Sequence, residues 1–222
     1  MKYNLFLGGG GDIADSKDID YEFFNCLKDG SQILYIPVAM DENVINYDSC
    51  ADWFTKLLSS IENEKDIDFE MWREIDPVPQ VDQYDAIYIG GGNTYYLRNI
   101  LNETELSTQI VNYLHKGGIV YGGSAGAIIF GKSIGTVMEE NDISSTDHSG
   151  YGLLGEWSVR CHYSDTSDDF FYELSSTLGP VIAIPETSGL AFNQNLMKVF
   201  GDPVYLYRNG IKEKITNEIK YE

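Results

Sequence analysis

Gly122, Ser124 and Gly126 form the pattern G-x-S-x-G, after the apolar residues 119–121 and before the small residues Ala125 and Ala127. A serine on such a strand–turn–helix junction needs tiny neighbours, because the turn forces it into a strained backbone conformation. The junction also sets its hydroxyl at a helix start, where amide groups and the dipole favour developing negative charge. The chemistry this suggests is nucleophilic attack on a carbonyl, which needs a base and a carboxylate to orient it. The alternative is a packing turn built of small residues.

Three histidines are available as the base. His115 closes a helix beside Lys116 and reads as a helix-end cation. His148 lies in the polar run 144–150 and reads as part of a mobile loop. His162 follows the strand-like residues 157–161 and precedes the polar, acidic residues 164–169. That places it where a strand meets a loop, as a base requires; an ordinary polar strand-end residue is the alternative. For the carboxylate, Glu186 stands just after the apolar run 181–184, amid uncharged neighbours. Its alternative is a helix or turn cap.

Two further glycine clusters follow apolar runs. Gly90, Gly91 and Gly92, with Asn93 and Thr94 after them, follow residues 86–89. Glycines at the carboxyl end of a parallel strand let backbone N–H groups point into the crevice where α/β ligands bind. A tight strand-to-helix turn capped by Asn93 or Thr94 is the competing reading. Gly9, Gly11 and Ala14 fit the dinucleotide pattern G-x-G-x-x-A. That pattern needs a helix starting inside it, whereas residues 12–18 read as a polar loop with the helix beginning near Asp20. Asp12 and Asp15 would also repel phosphate.

The elements that must position these residues are short apolar runs alternating with segments of helical period. Residues 3–7, 32–38, 86–89, 118–121 and 181–184 read as strands. Residues 20–28, 52–62, 94–99 and 105–116 read as helices, the last carrying Leu106, Ile110, Tyr113 and Leu114 at helical spacing. Near-continuous apolar strands alternating with helices predict a doubly wound α/β domain, its mostly parallel sheet covered by helices on both faces. Residues 203–207 and 211–215, joined by Asn209-Gly210, predict a C-terminal β-hairpin. No repeat or linker divides the chain, so a single domain is expected over residues 1–222.

Composition excludes several partners. The chain has 222 residues, 15 Lys+Arg against 35 Asp+Glu and a formal charge of −20. Nucleic acid needs a basic patch, and an anionic membrane surface attracts the same cations, so neither is an expected partner. The N-terminal apolar run is too short for a signal peptide, and none in the chain is long enough to cross a bilayer. Cys26, Cys50 and Cys161 are odd in number and widely spaced, without a disulfide or zinc pattern. A cytoplasmic protein with reduced thiols and no metal is expected.

Taken together, the glycine turn at residues 90–94, the elbow at 122–127, His162 followed by Tyr163, and Pro185-Glu186 resemble the peptidase E and cyanophycinase group of serine peptidases. The fold of that group is related to the class I glutamine amidotransferase domain. The resemblance implies Ser124 as nucleophile, His162 as general base and Glu186 as its carboxylate partner. It implies an oxyanion hole from the N–H groups of Ala125 and Gly92, with Gly91 and Asn93 beside the substrate. It further implies a small peptide substrate, no cofactor, and a monomer or homodimer. Asp142 falls near a functional aspartate of the group and is a candidate partner for a substrate's α-ammonium. The aspartyl dipeptidases of the group carry an arginine after the histidine, but residues 163–170 hold none and are acidic. Arg160, two residues before His162 and on the same face of a regular strand, is the candidate substitute. Strict Asp-X specificity is therefore not expected; a broader dipeptidase or aminopeptidase preference is. The reading from another class is a non-catalytic amidotransferase-like binding module.

Overall fold

The computed structural model describes residues 4–40, 46–61, 65–137, 146–193 and 196–220. Five strands form its parallel heart: β1 (Leu5–Gly8), β2 (Ser31–Ile36), β3 (Ile67–Met71), β4 (Ala86–Ile89) and β5 (Ile119–Gly123). They lie in the order β1-β5-β4-β2-β3. Three antiparallel strands extend the β1 edge: β8 (Ser188–Asn193), β9 (Leu196–Gly201) and β12 (Ile219–Lys220). The sheet is thus mixed at one end and mostly parallel, as expected.

Side-chain alternation explains why helices cover both faces. Leu5, Leu7, Leu34, Ile36, Ile87, Ile89 and Val120 point to one face. There they meet Leu97 and Leu101 of α3 (Thr94–Glu103) and Leu106 and Ile110 of α4 (Leu106–His115). Phe6, Ile33, Tyr35, Tyr88 and Tyr121 point to the other face. Their partners are Ile19, Phe23 and Phe24 of α1 (Lys17–Asn25) and Phe54 and Leu57 of α2 (Tyr47–Ser60).

Several boundaries differ from the sequence reading. Helix α1 begins at Lys17, not near Asp20, because the Ser16 hydroxyl bridges Asp12 O and Asp20 Oδ2, 2.8 and 2.6 Å away, and closes the turn ahead of it. The helix still starts beyond the glycines, which the Asp12 turn separates from it: Asp12 Oδ1 accepts from the N–H groups of Ala14 and Asp15. Helix α3 runs to Glu103 because Leu97 and Leu101, one turn apart, are both buried.

The run 181–184 does not join the parallel sheet. It forms β7 (Val181–Ala183) in a second, four-stranded sheet of order β11-β10-β7-β6. There β7 pairs in parallel with β6 (Ser158–Arg160) and antiparallel with β10 (Val204–Arg208). The expected hairpin completes that sheet: β10 pairs with β11 (Ile211–Ile215), and Asn209 and Gly210 both take positive φ, 54° and 74°. Residues 164–169, read as a loop, instead enter a 3-10 turn and the helix α6 (Asp168–Leu178), whose first turn carries Asp168 and Asp169. Acids at that end complement the helix dipole.

Candidate active site

Three glycine-rich turns leave the carboxyl ends of adjacent strands β1, β5 and β4, the place where open α/β sheets bind ligands. Ser124 stands at the end of β5 with φ 50° and ψ −112°, a strained conformation for a residue with a Cβ. Its neighbours must be glycines for lack of space. A Cβ on Gly122 would lie 2.2 Å from Gly126 O, and one on Gly126 would lie 2.5 Å from Ile89 O. The following helix α5 (Ala125–Ile128) is a single turn, so its macrodipole is small and local N–H groups must do the electrostatic work.

Ser124 Oγ lies 2.8 Å from His162 Nε2, and His162 Nδ1 lies 2.8 Å from Glu186 Oε1. A carboxylate only accepts, so neutral His162 carries its proton on Nδ1 and offers Nε2 as acceptor to the serine hydroxyl. Backbone pairing brings the two partners together. Ile184 N–H donates to Arg160 O at 2.9 Å, and Tyr163 N–H donates to Ile184 O at 3.1 Å. His162 itself has φ 58°, and its N–H donates to Gly9 O. The ring is thereby turned off the line of β6, which ends at Arg160. The regular-strand argument that put Arg160 on the same face as His162 therefore fails.

Gly91 flanks the serine from the β4 side, and Gly92 follows it against residues 39 and 40. A Cβ on Gly91 would lie 3.1 Å from Ser124 Cβ, and Gly92, at φ 132°, is pressed against Ala39 O. Gly90 N–H donates to Ile36 O and Asn93 N–H to Ala39 O. Between them, the N–H groups of Gly91 and Gly92 have no intramolecular acceptor among the described residues, and neither does that of Ala125. Free backbone donors next to a serine are what an oxyanion needs, and Gly91 and Ala125 adjoin Ser124 in space and in chain. Asn93 takes the cap role that was the competing reading for this turn: its Oδ1 accepts from Tyr96 N–H as the N-cap of α3. Asp142 lies outside the described residues.

Two contributors escaped the sequence reading. Gly10, within the supposed nucleotide pattern, lies under the serine and histidine. A Cβ there would come 2.5 Å from His162 Cε1 and 3.0 Å from Ser124 Cβ. Cys161 Sγ lies 3.6 Å from both Gly8 O and Ser124 O, fastening the segment before His162 to β1 and to the elbow. His148, read as part of a mobile loop, is instead anchored. Its carbonyl accepts from Ser133 Oγ and Ile134 N–H, and its ring meets Tyr95 edge-on at 5.5 Å. The acidic stretch after His162 is partly neutralised: Lys212 Nζ reaches both oxygens of Asp168 at 2.9 Å, with Tyr163 and Tyr207 donating to the same carboxylate. These bonds hold Asp168 below the ordinary carboxylate range. No group of three or more metal-ligating side chains occurs among the described residues.

Fold and geometry define an α/β class: a mostly parallel sheet presenting a strained serine between β5 and a short helix, hydrogen-bonded to a histidine and a glutamate. Within that class the chain belongs to peptidase family S51, whose family model matches residues 5–199. It is 31% identical over 144 residues to a peptidase E of Shewanella baltica, an alignment covering 60% of each protein. An uncharacterized peptidase of Listeria monocytogenes is 28% identical over 168 residues, covering 73% of this chain and 79% of that one. The chain thus spans about 60% of the length of the Shewanella relative and more of the Listeria one. A crystal structure of a peptidase from an acI-B1 Actinobacterium shares the fold with a TM-score of 0.68 at 21% identity, covering 99% of this chain and 97% of that one.

Proposed function

We propose that this chain is a serine peptidase of small peptides, with Ser124 as nucleophile, His162 as general base and Glu186 as the carboxylate that orients it. The observation that carries the reading is the unbroken hydrogen-bonded chain from Ser124 Oγ through the imidazole to Glu186, with 2.8 Å at each link. Ser124 Oγ attacks the scissile carbonyl carbon while His162 Nε2 takes its proton. The resulting oxyanion is received by the N–H groups of Ala125 and Gly92, with Gly91 alongside. Collapse of the tetrahedral intermediate expels the amine, which takes the proton back from His162 and leaves an acyl-serine. Water, deprotonated by His162, then releases the acid. Glu186, accepting from Nδ1–H, keeps Nε2 aimed at the serine.

The lack of arginine in residues 163–170 argues against strict Asp-X specificity. Asp142 is kept as the partner of a substrate's α-ammonium. The same reading takes the protein as a cytoplasmic monomer or homodimer working without a cofactor; no described helix is long and apolar enough to cross a membrane. Hydrolysis of a panel of dipeptides with free N-termini tests the proposal. Ser124→Ala should retain its circular dichroism and melting temperature and lose turnover by about 10⁶-fold. Undiminished turnover in the variant would refute Ser124 as the nucleophile, and no turnover in the wild type would favour the binding-module reading.

A further inference from the structure

A cavity of about 510 Å³ opens at Ser124 and Gly91, walled by Tyr35, Trp53, Tyr88 and Tyr121 with Met40 and Cys50 beside them. Its size falls within the common range of small-molecule pockets, about 300–1,000 Å³. We propose that this cavity receives the side chain of the residue whose carbonyl is attacked, and that this side chain is aromatic or long and aliphatic. The inference rests on the serine peptidase reading and names the substrate class for it.

Geometry assigns the cavity to the acyl half of the substrate. The leaving amine must lie against His162 Nε2 to be protonated, so the departing half of the peptide occupies the histidine side of Ser124. The cavity lining reaches Gly10 beneath the imidazole but not His162 itself, whereas Ser124 and Gly91, with its free N–H donor, are on it. A carbonyl seated on those donors therefore directs the side chain of its own residue toward the cavity.

Chemistry of the walls chooses the side chain. Tyr88 and Tyr121 stack at 4.3 Å, Tyr35 stacks on Phe54 at 4.4 Å, and Trp53 lies 6.2 Å from Tyr88. Rings locked to one another make a rigid, preformed apolar surface, which an aromatic or branched aliphatic group fills at little ordering cost. Lys56, the cation on the lining, is exposed and lies in a high dielectric where its pull on an acidic side chain is weak. A small or charged side chain leaves the aromatic walls wet, and a cationic one meets Lys56 as well.

Steady-state kinetics on Phe-Leu, Leu-Leu, Gly-Leu, Asp-Leu and Lys-Leu tests the assignment. The wild type should show kcat/KM for Phe-Leu and Leu-Leu at least about tenfold above the other three. Trp53→Ala should shrink the ratio of Phe-Leu to Gly-Leu by about tenfold. Trp53 packs on Tyr35, and its loss endangers folding, so a second measurement leaves the walls intact. Calorimetry on Ser124→Ala should find Phe-Leu bound at least about tenfold more tightly than Asp-Leu. Equal or better use of Asp-Leu or Gly-Leu by an enzyme whose Ser124 reacts with a fluorophosphonate overturns the cavity assignment alone. A chain that neither reacts with the fluorophosphonate nor cleaves any dipeptide overturns the peptidase reading, and this inference with it.

Discussion

Ser124 and His162 both stand at positive φ, 50° and 58°, where a side chain is strained. Each such position costs on the order of 1–3 kcal/mol and persists only where surrounding bonds over-determine it. Here those bonds are visible: Ser124 N–H donates to Gly8 O, His162 N–H donates to Gly9 O, and Cys161 lies between the Gly8 and Ser124 carbonyls. Gly10, at φ 96°, completes the cradle by giving up its side chain to the imidazole and the serine. Gly10→Ala should therefore push the ring off line and lower kcat by about 10²-fold, with a smaller effect on KM, as a misplacement near 1 Å does. An unchanged kcat would show that the ring is not held there. The meeting of Ser124, His162 and Glu186 was legible in the sequence, the serine from its G-x-S-x-G elbow and the other two from the short strand-like runs before them. The role of Gly10 was not, since it arises from the approach of residues more than a hundred positions away along the chain.

At the scale of elements, the parallel pair β6 and β7 is what delivers the histidine beside the glutamate, while β5 and β4 deliver the serine and the free N–H donors. The apolar runs were legible as strands, but their sheet was not. β7 pairs with β6 and the hairpin outside the main sheet, a long-range choice that local pattern does not encode. Strands β8 and β9 were missed because Gly189, Lys198 and Gly201 dilute their apolar signal, and α6 because its acids and serines read as loop. Helix α1 carries a testable electrostatic burden. Burial raises the carboxyl of Asp20 to about 6, against the bonds from Ser16 and Tyr121 that lower it. Its folded value exceeds the unfolded one, so the stability it contributes is full below the ordinary carboxylate range and is lost as pH rises through about 6. Asp20→Asn removes that titration. Urea unfolding between about pH 3.5 and pH 7.5 should show the variant losing less stability than the wild type, by up to about 3 kcal/mol. Parallel curves for the two proteins would refute the burial cost.

Across the whole molecule, the charge of −20 disfavours polyanionic partners, and the acids after His162 bear on specificity. Lys212 and the tyrosines of the C-terminal sheet take up Asp168, so the acidity beside the site is smaller than the sequence suggested. The aromatic core on one face of the sheet opens beside Ser124 at the strand ends. The elbow, the hydrogen-bonded chain to Glu186 and the cavity all adjoin one oxygen atom, Ser124 Oγ. Its reactivity is the most direct test: intact-mass spectrometry of the folded chain treated with a fluorophosphonate. A single adduct mapping to Ser124 is predicted, forming at least about 10²-fold more slowly in His162→Ala. No adduct on the folded wild type, or a rate indifferent to His162, would contradict the account.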